Sequence, residues 1–264
     1  MKVFISSDIE GTCGIVSWSE TEASHADSAY FRRQMSREVA AACEGAIEAG
    51  ADEIVVKDAH DSARNIDPLL LPRGVRLLRG WTRDPLCMMS GLDRTYDAVF
   101  YTGYHSRAGS GGNPLSHTLS TRLHRVCING VPVSEFNINS MTAAYLGVKS
   151  VLLTGDAALC KSALETVPDL QTVAVSEGTG AGSVSLNPDT ACERIRHSAK
   201  QALTEGMGGR PALAESFFTE ITYKTHHDAY SASYYPGAKQ LAADTVGFEA
   251  DDYYEVLRFL HFTA

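Results

Sequence analysis

Three short apolar runs, Val3-Phe4-Ile5, Ile54-Val55-Val56 and Ala98-Val99-Phe100-Tyr101, each lead within a few residues to metal-binding types of side chain: Asp8 and Glu10, then Asp58 and His60, then His105. Runs this short, without polar alternation, belong to strands buried on both faces of a parallel sheet. Between the first two, Phe31, Met35, Val39, Cys43 and Ile47 recur every four residues over about 27–49, and Gly50 stands where a helix wants a left-handed stop. Strand, helix, strand predicts a right-handed crossover, which brings the carboxyl ends of neighbouring strands to one edge of the sheet. Ligands of open α/β sheets collect in the crevice at that edge. Asp8 and Glu10, two residues apart, are expected on one side of an extended segment, and Gly11 lets the backbone turn directly after them.

The rest of the chain extends this pattern. Residues 61–91 are broken by Pro72, Gly74, Gly80 and Pro85, with Val75 to Leu78 a possible strand. A loop of small residues, Ser106 to Pro114, carries Arg107 and the pair Gly111-Gly112, and Ser116-His117 follows it. Asn129-Gly130 between apolar runs calls for a two-residue hairpin, with Pro132 at a sheet edge. Ser134 is then an N-cap, which puts Glu135 in the first turn of a helix. Strands at Val151-Leu152-Leu153 and Val173-Ala174-Val175 flank a helix over 156–166, and Asn187-Pro188 opens another whose buried stripe is Ile195, Ala199 and Leu203. Gly178 to Ser183 reads as a flexible or ligand-lining loop. After Gly206 to Pro211, Phe217 to Tyr223 alternates as a strand, Val246 to Phe248 forms a shorter one, and Asp251-Asp252 caps a last helix. The predicted architecture is α/β, a mostly parallel central sheet with helices on both faces, plus a smaller C-terminal α+β subdomain. The domains are 1–206 and 207–264.

A formal net charge of −9 and the lack of any Lys/Arg run argue against nucleic acid or an anionic membrane as partner. The six cysteines are scattered, with no C-x-x-C pair, as in reduced proteins of the cytoplasm. The N-terminus carries no signal-sequence pattern, and no window approaches the ~20 apolar residues of a membrane span. A cytoplasmic protein is expected.

Asp8, Glu10, His60, His105 and Glu135 together make a donor set suited to Zn²⁺, with Mn²⁺ or Co²⁺ as substitutes. Three carboxylates match two divalent ions and one hydroxide in charge, and one carboxylate would bridge. Asp58, two residues before His60, is expected to support it by a hydrogen bond. Arg107 and Arg122 are either surface charges or substrate clamps. His25, His124, His197 and His261 have no metal-type partner at useful spacing, and the side chains of His226 and His227 diverge.

Ser-Asp-Ile-Glu-Gly at 7–11, Lys-Asp-Ala-His at 57–60, Thr-Gly-Tyr-His-Ser-Arg-Ala at 102–108, Leu-Ser-His-Thr at 115–118 and Asn-Gly-Val-Pro-Val-Ser-Glu at 129–135 resemble the D-aminopeptidase family of dinuclear zinc peptidases. The resemblance implies two Zn²⁺ per chain, with Asp8 bridging, Glu10 and His60 completing one site, and His105 and Glu135 the other. It also implies His117 as the catalytic residue, a short peptide or amino-acid amide as substrate, and a ring-like homo-oligomer. Between Val175 and Ser183 the chain reads Ser-Glu-Gly-Thr-Gly-Ala-Gly where that family has basic residues, so this loop is expected to bear on substrate recognition. Two other readings carry their own signals. A dinuclear amidase or phosphoesterase would need a positive clamp or glycine cradle, hinted at only by Arg107 and Gly109 to Gly112. A non-catalytic, metal-stabilised binding protein would normally use a closed, cysteine-rich site.

Overall fold

The three apolar runs lie side by side. In the computed structural model, which describes residues 1–264, the first elements are β1 (Lys2–Ser7), α1 (Ser28–Glu48), β2 (Glu53–Asp58), β3 (Arg76–Leu78) and β4 (Ala98–Tyr104). Next come β5 (Leu123–Ile128), β6 (Val131–Pro132), α2 (Glu135–Tyr145), β7 (Lys149–Asp156), α3 (Ala157–Thr166), β8 (Gln171–Thr179), β9 (Gly182–Ser185) and α4 (Pro188–Thr204). The last are β10 (Phe217–Tyr223), α5 (His226–Ala232), β11 (Lys239–Ala242), β12 (Thr245–Ala250) and α6 (Tyr253–Thr263).

The main sheet runs β3-β2-β1-β4-β7-β8-β9, parallel except for β9. Ile5 is level with Val56 on one side and Phe100 on the other. Val3, Ile5, Val56 and Phe100 face α1 and α4, where Val39, Cys43, Ile195 and Ala199 cover them. Phe4, Val99, Tyr101 and Leu153 face the opposite way, against Phe136 of α2 and Leu159 of α3. Burying one such aliphatic side chain contributes about 1.5–3 kcal/mol. With both faces covered, a polar alternate position would forfeit that gain, which explains the unbroken apolar runs.

A second, antiparallel sheet runs β11-β12-β10-β5-β6. Asn129 and Gly130 turn the β5–β6 hairpin with φ of 51° and 78°, the left-handed pair that a type I′ turn requires. Burial alternates strictly along β10, and its inward residue Ile221 packs with Val246, Val256 and Ile138 of α2. The second sheet thus joins strands on either side of residue 206. Gly178 to Ser183 proves to be a sheet-edge hairpin rather than a ligand-lining loop. Thr179 pairs with Gly182, and Gly178 N donates to Gly112 O at 3.2 Å, so the small residues there serve packing. All six cysteines are unpaired, and no helix is long and apolar enough to cross a membrane.

Candidate metal centre

At the end of β1 the chain turns sharply across the carboxyl edge of the sheet. Asp8 N donates to Thr102 O and Gly11 N to Gly103 O, both at 2.8 Å, which ties the turn to β4. A Cβ on Gly11 would lie 1.8 Å from Tyr104 O, so only glycine permits this approach. Asp8 and Glu10 lie in this turn beyond the strand, not along an extended segment, and the turn aims both at one point. β2 delivers His60 two residues past its end, and β4 delivers His105 directly. Ser134 caps α2 by accepting from Asn137 N, which sets Glu135 as the first helical residue.

These five side chains, all buried, meet in two groups that share Asp8. His60 Nδ1 lies 3.3 Å from Asp8 Oδ1 and 3.1 Å from Glu10 Oε2. His105 Nε2 lies 3.4 Å from both Asp8 Oδ2 and Glu135 Oε2. Zinc bonds of about 2.0–2.1 Å in a tetrahedron put neighbouring ligand atoms about 3.3–3.4 Å apart, so these separations suit donors arranged around a cation. The orphaned atoms agree. Glu10 Oε2 and His105 Nε2 are buried without a hydrogen-bond partner, a condition that proteins rarely tolerate without a ligand to satisfy it. His105 Nδ1 donates to Ser106 O at 3.0 Å, which leaves Nε2 as the free lone pair facing the carboxylates.

Burial alone would raise the Asp8 carboxyl, but His105 and His60 more than offset it and hold it well below the carboxylate range. Burial likewise opposes charge on the two imidazoles. Glu10 and Asp8 overcome it at His60, Glu135 and Asp8 at His105, and both rings are pushed well above their ordinary value. A buried cluster with three carboxylates draws in positive charge, which divalent cations would supply.

His117 stands beside this centre. Its Nδ1 donates to Leu115 O at 2.9 Å, so Nε2 is bare, 3.7 Å from Glu135 Oε1. Its ring stacks on His105 at 4.3 Å between centroids and meets Trp18 edge-on at 5.2 Å. Glu10, His105 and His117 form a third group of donors within reach of one another. Leu119 N donates to Glu135 Oε1 at 2.6 Å, and Asp156 accepts from Ser106 N and Oγ, both at 2.6 Å, fixing the segment that carries His105. Asp58, expected to support the His60 ring, does not touch it. Its oxygens accept from Asn65 N, Asn65 Nδ2 and Ile66 N, because the chain doubles back after His60 and offers those donors first. Asn65 Nδ2 in turn holds the His60 carbonyl at 2.8 Å, so Asp58 supports the turn and not the ring.

The centre opens into a cavity of about 910 Å³. Both tryptophans of the chain, Trp18 and Trp81, line it, with Arg83 and Cys87 from the irregular region 61–91, where sequence reasoning found no functional residue. Of six non-glycine residues with positive φ, four line this cavity: Asp61, Arg83, Cys87 and Leu119. Strained backbone of this kind clusters at functional sites. One of only two tryptophans, Trp81, inside a proline- and glycine-broken segment was the available signal. Arg107 and Arg122 lie outside the cavity. Arg107 donates to its neighbour's carbonyl, Ala108 O, and Arg122 to Ala264 O at 2.8 Å and to Asp228. His261, read as structural or solvent-facing, lines the cavity wall. His25 pairs with Glu22 at 3.2 Å.

The family model described as D-aminopeptidase, peptidase family M55, matches residues 1–262. A D-aminopeptidase of Bacillus subtilis (strain 168) is 27% identical over 258 residues, covering 97% of this chain and 93% of that protein. The solved structure of the Zn-dependent D-aminopeptidase DppA from Bacillus subtilis, described as a self-compartmentalizing protease, superposes with a TM-score of 0.93 at 25% identity, covering 100% of this chain and 96% of that one. With its fold and the length of that match, the chain belongs to the M55 family of D-aminopeptidases.

Proposed function

We propose that this chain is a zinc-dependent aminopeptidase that releases N-terminal D-amino acids from short peptides or amino-acid amides, with two Zn²⁺ held per chain. The observation that carries the reading is Asp8, whose two oxygens face separate donor pairs, Glu10 with His60 and His105 with Glu135. In this reading Asp8 bridges, and each pair completes one site. The zinc dependence of the Bacillus subtilis neighbour supports the choice of metal. When bound, such a pair of ions supplies Lewis acidity and makes nearby water acidic enough to attack at neutral pH.

The chain's own residues do the rest. His117, locked with its proton on Nδ1, presents Nε2 to the cavity, where it takes a proton from the attacking water and returns it to the leaving amine. Trp18 against its ring and the stacking on His105 hold that orientation. Glu22, Asp61 and Asp84 add carboxylates to the cavity wall, which favours a substrate with a free ammonium terminus and disfavours a phosphate ester. All five donors and His117 fall within 1–206, the part assigned to catalysis, while 207–264 builds its smaller sheet onto β5 and β6 of that part. The neighbour's description as self-compartmentalizing supports a ring-like homo-oligomer, and the scattered unpaired cysteines support a cytoplasmic location. The test combines zinc stoichiometry with release of D- and L-residues from matched dipeptides. Two zinc per chain and D-selective release are expected. Less than one zinc, or no release of either enantiomer from the zinc-restored protein, overturns the reading.

A further inference from the structure

We propose that Arg83 binds the terminal carboxylate of a short peptide, so that the enzyme prefers free-acid peptides to their amides; this rests on the aminopeptidase reading above. Among the 26 residues lining the cavity, Arg83 is the one arginine or lysine. Arg83 is exposed at the cleft and makes no side-chain hydrogen bond or ion pair, while the adjacent Asp84 is engaged by Thr82 Oγ1, Leu86 N and Ser90 Oγ. On a wall that also carries Glu22, Asp61 and Asp84, an unpaired arginine offers a substrate's own carboxylate a partner outside the donor cluster. A guanidinium fork matches a carboxylate in two parallel hydrogen bonds.

The backbone argues the same way. Arg83 has φ of 63°, a left-handed conformation that a side-chain-bearing residue adopts at a cost. The segment before it is anchored to the turn that carries His60. Buried Lys57 donates to Gly80 O at 2.7 Å and stands 4.5 Å over the Trp81 ring. Trp81 Nε1 donates to Asp61 O at 2.6 Å, and Gly80 N to Ala63 O at 2.8 Å. Arg83 therefore projects from a braced wall tied to one side of the metal centre.

The experiment compares a D-configured dipeptide with its C-terminal amide in the parent, Arg83→Ala and Arg83→Lys proteins. Losing a charge-assisted hydrogen-bond pair corresponds to about a 10- to 100-fold change. The zinc-loaded parent is expected to favour the free acid over the amide in kcat/KM by that factor, Arg83→Ala to bring the ratio near one, and Arg83→Lys to restore part of it. A second readout needs no turnover: Trp18 and Trp81 line the cavity, so intrinsic fluorescence of the metal-free protein reports binding of each dipeptide. Weaker binding of the acid alone in Arg83→Ala supports the proposal. A parent without preference, an unchanged ratio in Arg83→Ala, or equal weakening of acid and amide overturns it. A zinc-loaded parent that hydrolyses neither dipeptide refutes the aminopeptidase reading, while the fluorescence arm still decides Arg83.

Discussion

Glu38 is a carboxylate buried in the core. It sits on α1 beneath the loop after the metal-binding turn, 1% exposed, and its Oε1 accepts from Cys13 N and Gln34 Nε2, both at 3.0 Å. Oε2 has no partner. Burial pushes the group from its ordinary 4.5 up to about 7, against those two hydrogen bonds and the charge of Arg37. Each pH unit between the folded and unfolded values is worth 1.36 kcal/mol, so ionising Glu38 costs the folded state about 3 kcal/mol. The folded-state value is the raised one. Below 4.5 both states hold the proton and nothing is lost; between 4.5 and about 7 only the folded state keeps it, and stability falls as pH rises; above 7 the whole cost is present. Glu38→Gln keeps the shape and the acceptor for Cys13 N but has no charge to bury. Urea unfolding of both proteins at pH 4.5 and pH 8 isolates the effect, because other pH-dependent groups cancel in the difference. The variant is expected to gain about 3 kcal/mol on the parent between those pH values. A difference that stays constant across that range would refute the argument that burial dominates at Glu38.

Two further substitutions probe the centre itself. His117→Ala should leave zinc content intact and lower turnover of a D-amino-acid amide by about two powers of ten or more; loss of zinc would make His117 a ligand, and full turnover would remove it from the mechanism. Gly11→Ala drives a methyl into backbone, with Tyr104 O at 1.8 Å and Tyr104 C at 2.5 Å. It should cost about 3 kcal/mol or more in urea unfolding and reduce bound zinc by shifting Asp8 from His105, and unchanged stability and metal content would show that the turn has slack.

The inner strands were legible because burial on both faces leaves an unmistakable record: Ile5, Val56 and Phe100 could not be polar without losing packing on α1 and α4. The five side chains that the fold brings together could be named from the same record, since Asp8, Glu10, His60 and His105 follow strand ends and Glu135 follows a cap. Two other features lay outside it. Asp58 pairs with donors seven and eight residues further on, a choice decided by a turn whose path no periodicity reveals. The cleft wall of Trp81, Arg83 and Cys87 comes from a segment with neither helical nor strand rhythm, held by Lys57 and by left-handed backbone at side-chain-bearing residues. Gly178 to Ser183 misled for a related reason, because small residues mark close packing of hairpins as readily as they mark ligand loops.

The second sheet weaves β5 and β6 from the middle of the chain with β10 and β12 from its last quarter, and α6 contributes Leu257 and Leu260 to the wall of the cavity. During synthesis Asp8, Glu10, His60 and His105, which follow β1, β2 and β4, therefore leave the ribosome well before the helix that closes the cavity around them. The wall of the cavity is therefore complete only once α6 has docked beside the second sheet.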